Sequence, residues 1–177
     1  MNEPRFGTAG LADSYAVKKF DPAAIAAYTA GFGLTAFEYQ CGRGVRLAHD
    51  KAAALGAACA EQNIVLSVHA PYYISMSSLE EDKRLNSVNY LLQSCALVKA
   101  LGGRRVIFHA GSCGKQSREA ALEKALDTMR RASQLSSPAH IRAMQRSARM
   151  LRAGQDVREY HLDAELLHAF REGGSQY

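Results

Sequence analysis

The chain is expected to be an α/β protein made of repeated strand–helix units around a parallel sheet. Three observations predict this. Asn63-Ile64-Val65-Leu66-Ser67-Val68-His69-Ala70-Pro71 is a short apolar run that ends in a histidine just before a turn. Gly103-Arg104-Arg105-Val106-Ile107-Phe108-His109-Ala110-Gly111 repeats that design. A long helical pattern separates the two, as a parallel strand pair requires. Both histidines then reach the sheet edge formed by the C-terminal strand ends, where α/β folds carry their chemistry. Two imidazoles converging there predict a metal centre.

The elements follow in order. Residues 5–9 read as a first strand that runs into a glycine loop. Asp21-Pro22 is a helix start, with aspartate as N-cap and proline at the first helical position. Ala23 to Ala30 continue that helix, and Gly31 or Gly33 ends it. Residues 34–39 mix aromatic and β-branched side chains and predict the second strand. Cys41-Gly42-Arg43-Gly44 is a loop, and the alanine-rich stretch from Leu47 to Gln62 is helical. After the third strand, near 64–69, Ser78-Leu79-Glu80-Glu81 matches a capping box. The helix that follows places Leu85, Val88, Leu92, Cys95 and Val98 at helical spacing and stops at Gly102-Gly103. The fourth strand lies near 104–109. Ser117 then caps a helix with Leu122, Leu126 and Met129 on one face and Arg130-Arg131 at its end.

Four βα units are accounted for by residues 1–132. Residues 133–177 form a second region without a strand pattern, expected to be helical or irregular. All of its basic residues are arginines, whereas the first region contains lysines as well. Met144 to Arg152 predicts a basic helix, and Tyr160 to Phe170 another. This change of character suggests a truncated or frame-shifted reading frame. An unpaired edge after the fourth strand would expose apolar surface and favour self-association.

Apolar residues make up 47% of the chain and charged residues 22%, a globular composition. No run is long and apolar enough for a membrane span, and the first residues lack a signal-peptide pattern. With no CxxC spacing, Cys41, Cys59, Cys95 and Cys113 are expected as reduced thiols in a cytoplasmic protein. The net charge of +5 permits a polyanionic partner without requiring one.

On specific phrases, residues 5–131 resemble the endonuclease IV family of the xylose isomerase-like TIM barrels. Those phrases are Phe6-Gly7, His69-Ala70-Pro71-Tyr72-Tyr73-Ile74, Leu101-Gly102-Gly103 and Phe108-His109-Ala110-Gly111-Ser112. The resemblance implies an eight-stranded barrel, of which this chain holds about half. It implies a zinc-dependent repair phosphodiesterase that cuts DNA at abasic sites. His69 and His109 match ligands of one zinc. Tyr72 falls where the family pushes a side chain into the DNA stack, and Arg43 lies near another such element. Thr8 stands where the family usually carries a histidine. The family's later ligands, including a glutamate that bridges two zincs, have no counterpart in 133–177, so the isolated chain is expected to be catalytically incomplete. A metal-dependent sugar isomerase or epimerase is the rival enzyme class, because the same barrel hosts both. A non-catalytic barrel fragment is the third reading.

Each candidate also has a plainer role. His69 and His109 could be hydrogen-bonded strand-end histidines. Tyr72 and Tyr73 could stack on bases or simply flank a loop. Arg43 and Arg46 could contact phosphate or be solvated. Glu38 is either a polar barrel residue or a support for a metal-bound histidine. His49, His140, His161 and His168 read as surface residues. Gly111-Ser112-Cys113-Gly114-Lys115 lacks the spacing of a phosphate loop.

Overall fold

A computed structural model describes residues 4–15, 19–134 and 160–163. The order is β1 (Gly7–Ala9), α1 (Pro22–Gly31), β2 (Ala36–Gln40), α2 (His49–Glu61), β3 (Val65–His69), α3 (Glu81–Ala100), β4 (Arg105–Phe108), α4 (Arg118–Gln134) and β5 (Tyr160–Asp163). The sheet order is β1-β2-β3-β4-β5. The first four strands pair in parallel, each with its successor. This is the expected βα repeat, an incomplete barrel wall.

Local chemistry explains most boundaries. Asp21 Oδ1 accepts from the Ala24 amide at 3.1 Å and caps α1. Ser117 Oγ does the same for the Ala120 amide at 3.2 Å ahead of α4. Asn63 turns the chain after α2 with φ at 55°, and Arg5 holds it from β1's side through its carbonyl at 2.6 Å and side-chain oxygen at 3.1 Å. The capping box does not form. Glu80 is the N-cap of α3 without a side-chain bond, and Ser78 Oγ instead accepts from the Glu80 amide at 3.2 Å. The serine closes a local turn, and the helix starts later than its sequence signature suggests.

The core lies between the sheet and its helices. Phe37, Leu66, Val68, Val106 and Phe108 are buried against Ala52, Leu55, Cys59, Leu91, Cys95, Val98 and Met129. The buried face of α3 runs through Ser87, Val88, Leu91, Ser94, Cys95, Leu97 and Val98, while Leu85 is exposed. Two serines join this face because their hydroxyls bond back to carbonyls one turn earlier: Ser87 to Lys83 and Ser94 to Tyr90. Val65 is 47% exposed, because it alternates to the sheet face opposite the helices.

The second correction concerns the tail. Tyr160–Asp163, expected to open a helix, is a strand that pairs antiparallel with β4, from Arg105↔Asp163 to Phe108↔Tyr160. The edge expected to stand open after β4 is therefore occupied. Four unpaired backbone positions on β4 outweigh the helical spacing of a short tail segment. The basic helix expected at 144–152 lies outside the described residues, as do His140 and His168.

α2 crosses the end of α3 so closely that a Cβ on Gly56 would stand 2.6 Å from the Leu101 carbonyl oxygen. Gly56→Ala gains helix propensity of about 1 kcal/mol but must move backbone. It is expected to lower stability by about 1–3 kcal/mol. Gly31→Ala, where nothing lies within 4 Å, should be neutral or better. Urea midpoints of the two variants check this; equal midpoints would contradict it.

Candidate metal centre at the strand edge

The alternation of β3 decides what reaches the site. Leu66 and Val68 turn into the core, which sends Val65, Ser67 and His69 to the other face. His69 ends β3, and its register partners are Gln40 at the end of β2 and Ile107 on β4. His109 follows β4 directly, two residues beyond Ile107 and on the same face. The two imidazoles meet with ring centroids 5.1 Å apart, tilted by 49°. The sequence expectation that both histidines converge at the C-terminal edge holds in the structure.

Tyr72 completes a three-ring cluster. Its ring lies 5.9 Å from that of His69, and 6.4 Å from that of His109 with only 18° between the planes. The tyrosine is 64% exposed, so it forms a shelf open to solvent above the histidines. Arg43 is exposed on the adjoining loop, and the carbonyl of its neighbour Gly42 accepts from the Tyr72 amide at 3.2 Å. Tyr73 does not join them. Its ring packs 5.9 Å from Tyr90 of α3.

The loop that carries Tyr72 is held at many points. The Met76 amide donates to the Ala110 carbonyl at 2.8 Å, and the buried Thr128 hydroxyl of α4 donates to the Met76 carbonyl at 2.9 Å. Ser77 Oγ donates to the Ser112 carbonyl, and Gln116 Nε2 donates to the Ser77 carbonyl, both at 2.9 Å. The loops after β3 and β4 are therefore one body, which fixes Tyr72 relative to His109. The segment Gly111 to Lys115 serves in this lacing through the Ser112 carbonyl.

The histidine pair fits a divalent metal in part. His69 Nδ1 lies 3.0 Å from the Ala70 carbonyl oxygen. A carbonyl can only accept, so Nδ1 carries the proton and Nε2 keeps its lone pair for a metal. Among the described residues, no group of three His, Cys, Asp or Glu side chains could hold an ion. Glu38 is engaged elsewhere, accepting from Ser67 Oγ at 3.3 Å, and so behaves as a polar barrel residue. Cys41 is close by backbone, its amide donating to the His69 carbonyl at 2.9 Å. Its thiol is buried in the core, and burial pushes it up to about 12. The same burial, with Cys41 beside it, raises the Tyr39 phenol. Thr8 pairs with Phe37 and so shares the core-facing side, away from the histidines. His49 is exposed at the start of α2.

Gln40 was not singled out in the sequence, although it sits directly beside His69. Its signal was the alternation within β2: Phe37 is buried, so Glu38 and Gln40 share the opposite face.

Residues 26–144 match the family model described as xylose isomerase-like TIM barrel. Endonuclease IV from Thermus thermophilus is a similar solved structure, 27% identical with a TM-score of 0.53, over 73% of this chain and 47% of that one. D-psicose 3-epimerase from Clostridium cellulolyticum is 14% identical with a TM-score of 0.53, over 64% of this chain and 42% of that one; this likeness shows the fold alone. An uncharacterised protein of Methanocaldococcus jannaschii is 29% identical over 70 residues, 40% of this chain and 25% of that protein. The chain spans less than half the length of each of these relatives. No helix among the described residues is long and apolar enough to cross a membrane. With four parallel strands, alternating helices and a family match over most of its length, the chain belongs to the xylose isomerase-like TIM barrels.

Proposed function

We propose that this chain carries the DNA-facing edge of a zinc-dependent, cytoplasmic repair phosphodiesterase that acts at abasic sites, and that the chain alone lacks the full metal set for cleavage. The observation behind this is the cluster of His69, His109 and Tyr72, two imidazoles 5.1 Å apart beneath an exposed aromatic ring. The similarity to endonuclease IV at 27% identity supports the choice of substrate. An epimerase reading rests on fold alone.

His69 and His109 would hold the metal through ring nitrogens. A bound zinc lowers the pKa of its water toward 7 and neutralises charge growing on a phosphate. Tyr72 offers a flat face where an abasic site leaves a gap in the base stack. Arg43 stands on the adjoining loop, able to meet the backbone phosphates, with Arg46 on the same loop and Lys115 on the loop after β4 as further exposed cations.

The test is zinc-loaded protein with matched duplexes, one intact and one bearing a single abasic site. The expected result is preferential binding to the abasic duplex that weakens steeply with salt. Tyr72→Ala should lose the preference and Arg43→Ala should reduce the salt slope by about one unit. Incision should stay far below that of a complete enzyme. Equal binding to both duplexes would overturn the reading. Robust incision that disappears in His69→Ala would instead show a complete metal set.

A further inference from the structure

The sheet packs one face on the helices and leaves most of the other bare. Val65, at the start of β3, is 47% exposed on the bare face, and Gln40 and Arg105 are exposed there too. Only toward the C-terminal edge, at His69 and Ile107, is that face buried. Parallel strands occur almost only where both faces are covered. β5 extends the sheet sideways along β4 rather than lying over it.

Charge is ordered across the middle of this face. Glu38 of β2 pairs in register with Ser67 of β3, and Ser67 with Arg105 of β4. Glu38 and Arg105 therefore flank Ser67, two strand spacings apart, about 10 Å between backbones. Among the described residues neither forms an ion pair. The Glu38 carboxylate accepts from the Ser67 hydroxyl at 3.3 Å, long for a charged acceptor.

We propose that this face binds a second copy of the chain, about a two-fold axis that runs parallel to the strands and passes over Ser67. The charge order selects both the occupant and the axis. Rotation about that axis sets Glu38 of each copy over Arg105 of the other, so two ion pairs form together, as a self-complementary contact requires. A two-fold axis across the strands would set Glu38 over Glu38 and Arg105 over Arg105, and like charges brought together oppose association. The selected axis also keeps the strands of both copies running in one direction, with their C-terminal edges at one end. Length agrees with this occupant. The chain spans 47% of the endonuclease IV structure it resembles, and a second copy brings in about the share that is missing. The face is small and partly polar, so the contact is weak and reversible, and dilute protein keeps the face open to water.

The test is sedimentation velocity of the full chain over a range of concentrations, at low and at high salt. Wild type is expected to pass from monomer to dimer as concentration rises, and high salt should weaken the dimer. Glu38→Lys places like charges over each other at both contacts and should weaken the dimer by at least about tenfold, as should Arg105→Glu. An equal mixture of the two variants restores opposite charges at both contacts and should dimerise again as a mixed pair. Asp163 is the register partner of Arg105, so circular dichroism checks that Arg105→Glu folds. Where it does not, Arg105→Gln takes its place, and its mixture with Glu38→Lys should dimerise more than either variant alone. A wild type that stays monomeric up to its solubility limit overturns the proposal. A dimer that neither variant weakens, or one that is lost in the variants and not recovered on mixing, overturns it as well.

Discussion

Above about pH 9 the folded protein is expected to lose stability steeply. Burial pushes Cys41 and Cys95 up to about 12 and Cys59 up to about 11. In the unfolded chain these thiols ionise near about 8.5. Above that pH the unfolded state binds fewer protons than the folded one, so the free energy of unfolding falls as pH rises. Each thiol contributes up to about 1.4 kcal/mol per pH unit, so three together approach roughly 4 kcal/mol per pH unit before their folded-state ionisation ends the slope. A domain of this kind holds about 5–15 kcal/mol in total, so a loss of this size is a large fraction of its stability. The raised Tyr15 and Tyr39 phenols extend the same trend further. Urea midpoints at pH 8, 9 and 10 check it. Replacing all three buried cysteines by alanine should flatten the dependence, and a flat wild-type series would contradict it. Cys113, exposed after β4, is the thiol that an alkylating reagent should reach first.

Phe108→Ala is expected to cost about 3–5 kcal/mol. Phe108 is 1% exposed and the last residue of β4, packed into the core under the sheet. Its removal leaves a cavity that strand backbones on both sides cannot fill. His109 is the next residue, so the same change should loosen the imidazole pair. Val65→Ala on the open face, where the side chain is 47% exposed, should stay within about 0.5 kcal/mol. Chemical denaturation of both variants measures the contrast; comparable losses would mean that the open face is covered in solution.

The four βα units were legible because apolar runs, caps and glycine stops agreed with one another. Asp21 and Ser117 cap where their positions indicate. The histidine pair was legible because each imidazole follows a run that can only be a buried strand. Ser78 misled because a serine before a helix can close a turn as readily as cap it. Leu85 misled because periodicity cannot tell a core face from the exposed first turn of a long helix. Gln40 was hidden because its importance comes from register with β3, a relation between distant segments. Tyr160–Asp163 was hidden for the same reason. Its strand character comes from the vacant partner positions on β4 rather than from its own side chains.

The antiparallel fifth strand also sets an order of events in folding. The pairings β1-β2, β2-β3 and β3-β4 each join neighbours in sequence and close loops of one helix and its turns. The β4-β5 pairing must wait for a segment that lies well beyond the whole of α4. Loop closure over a longer stretch costs more entropy before any contact repays it, so distant strands pair slowly. On a ribosome, the edge of β4 is made long before its partner emerges. During that interval the nascent chain presents an unsatisfied strand to whatever is nearby, and the time taken to synthesise one helix and its following segment becomes the window in which misassembly competes with folding.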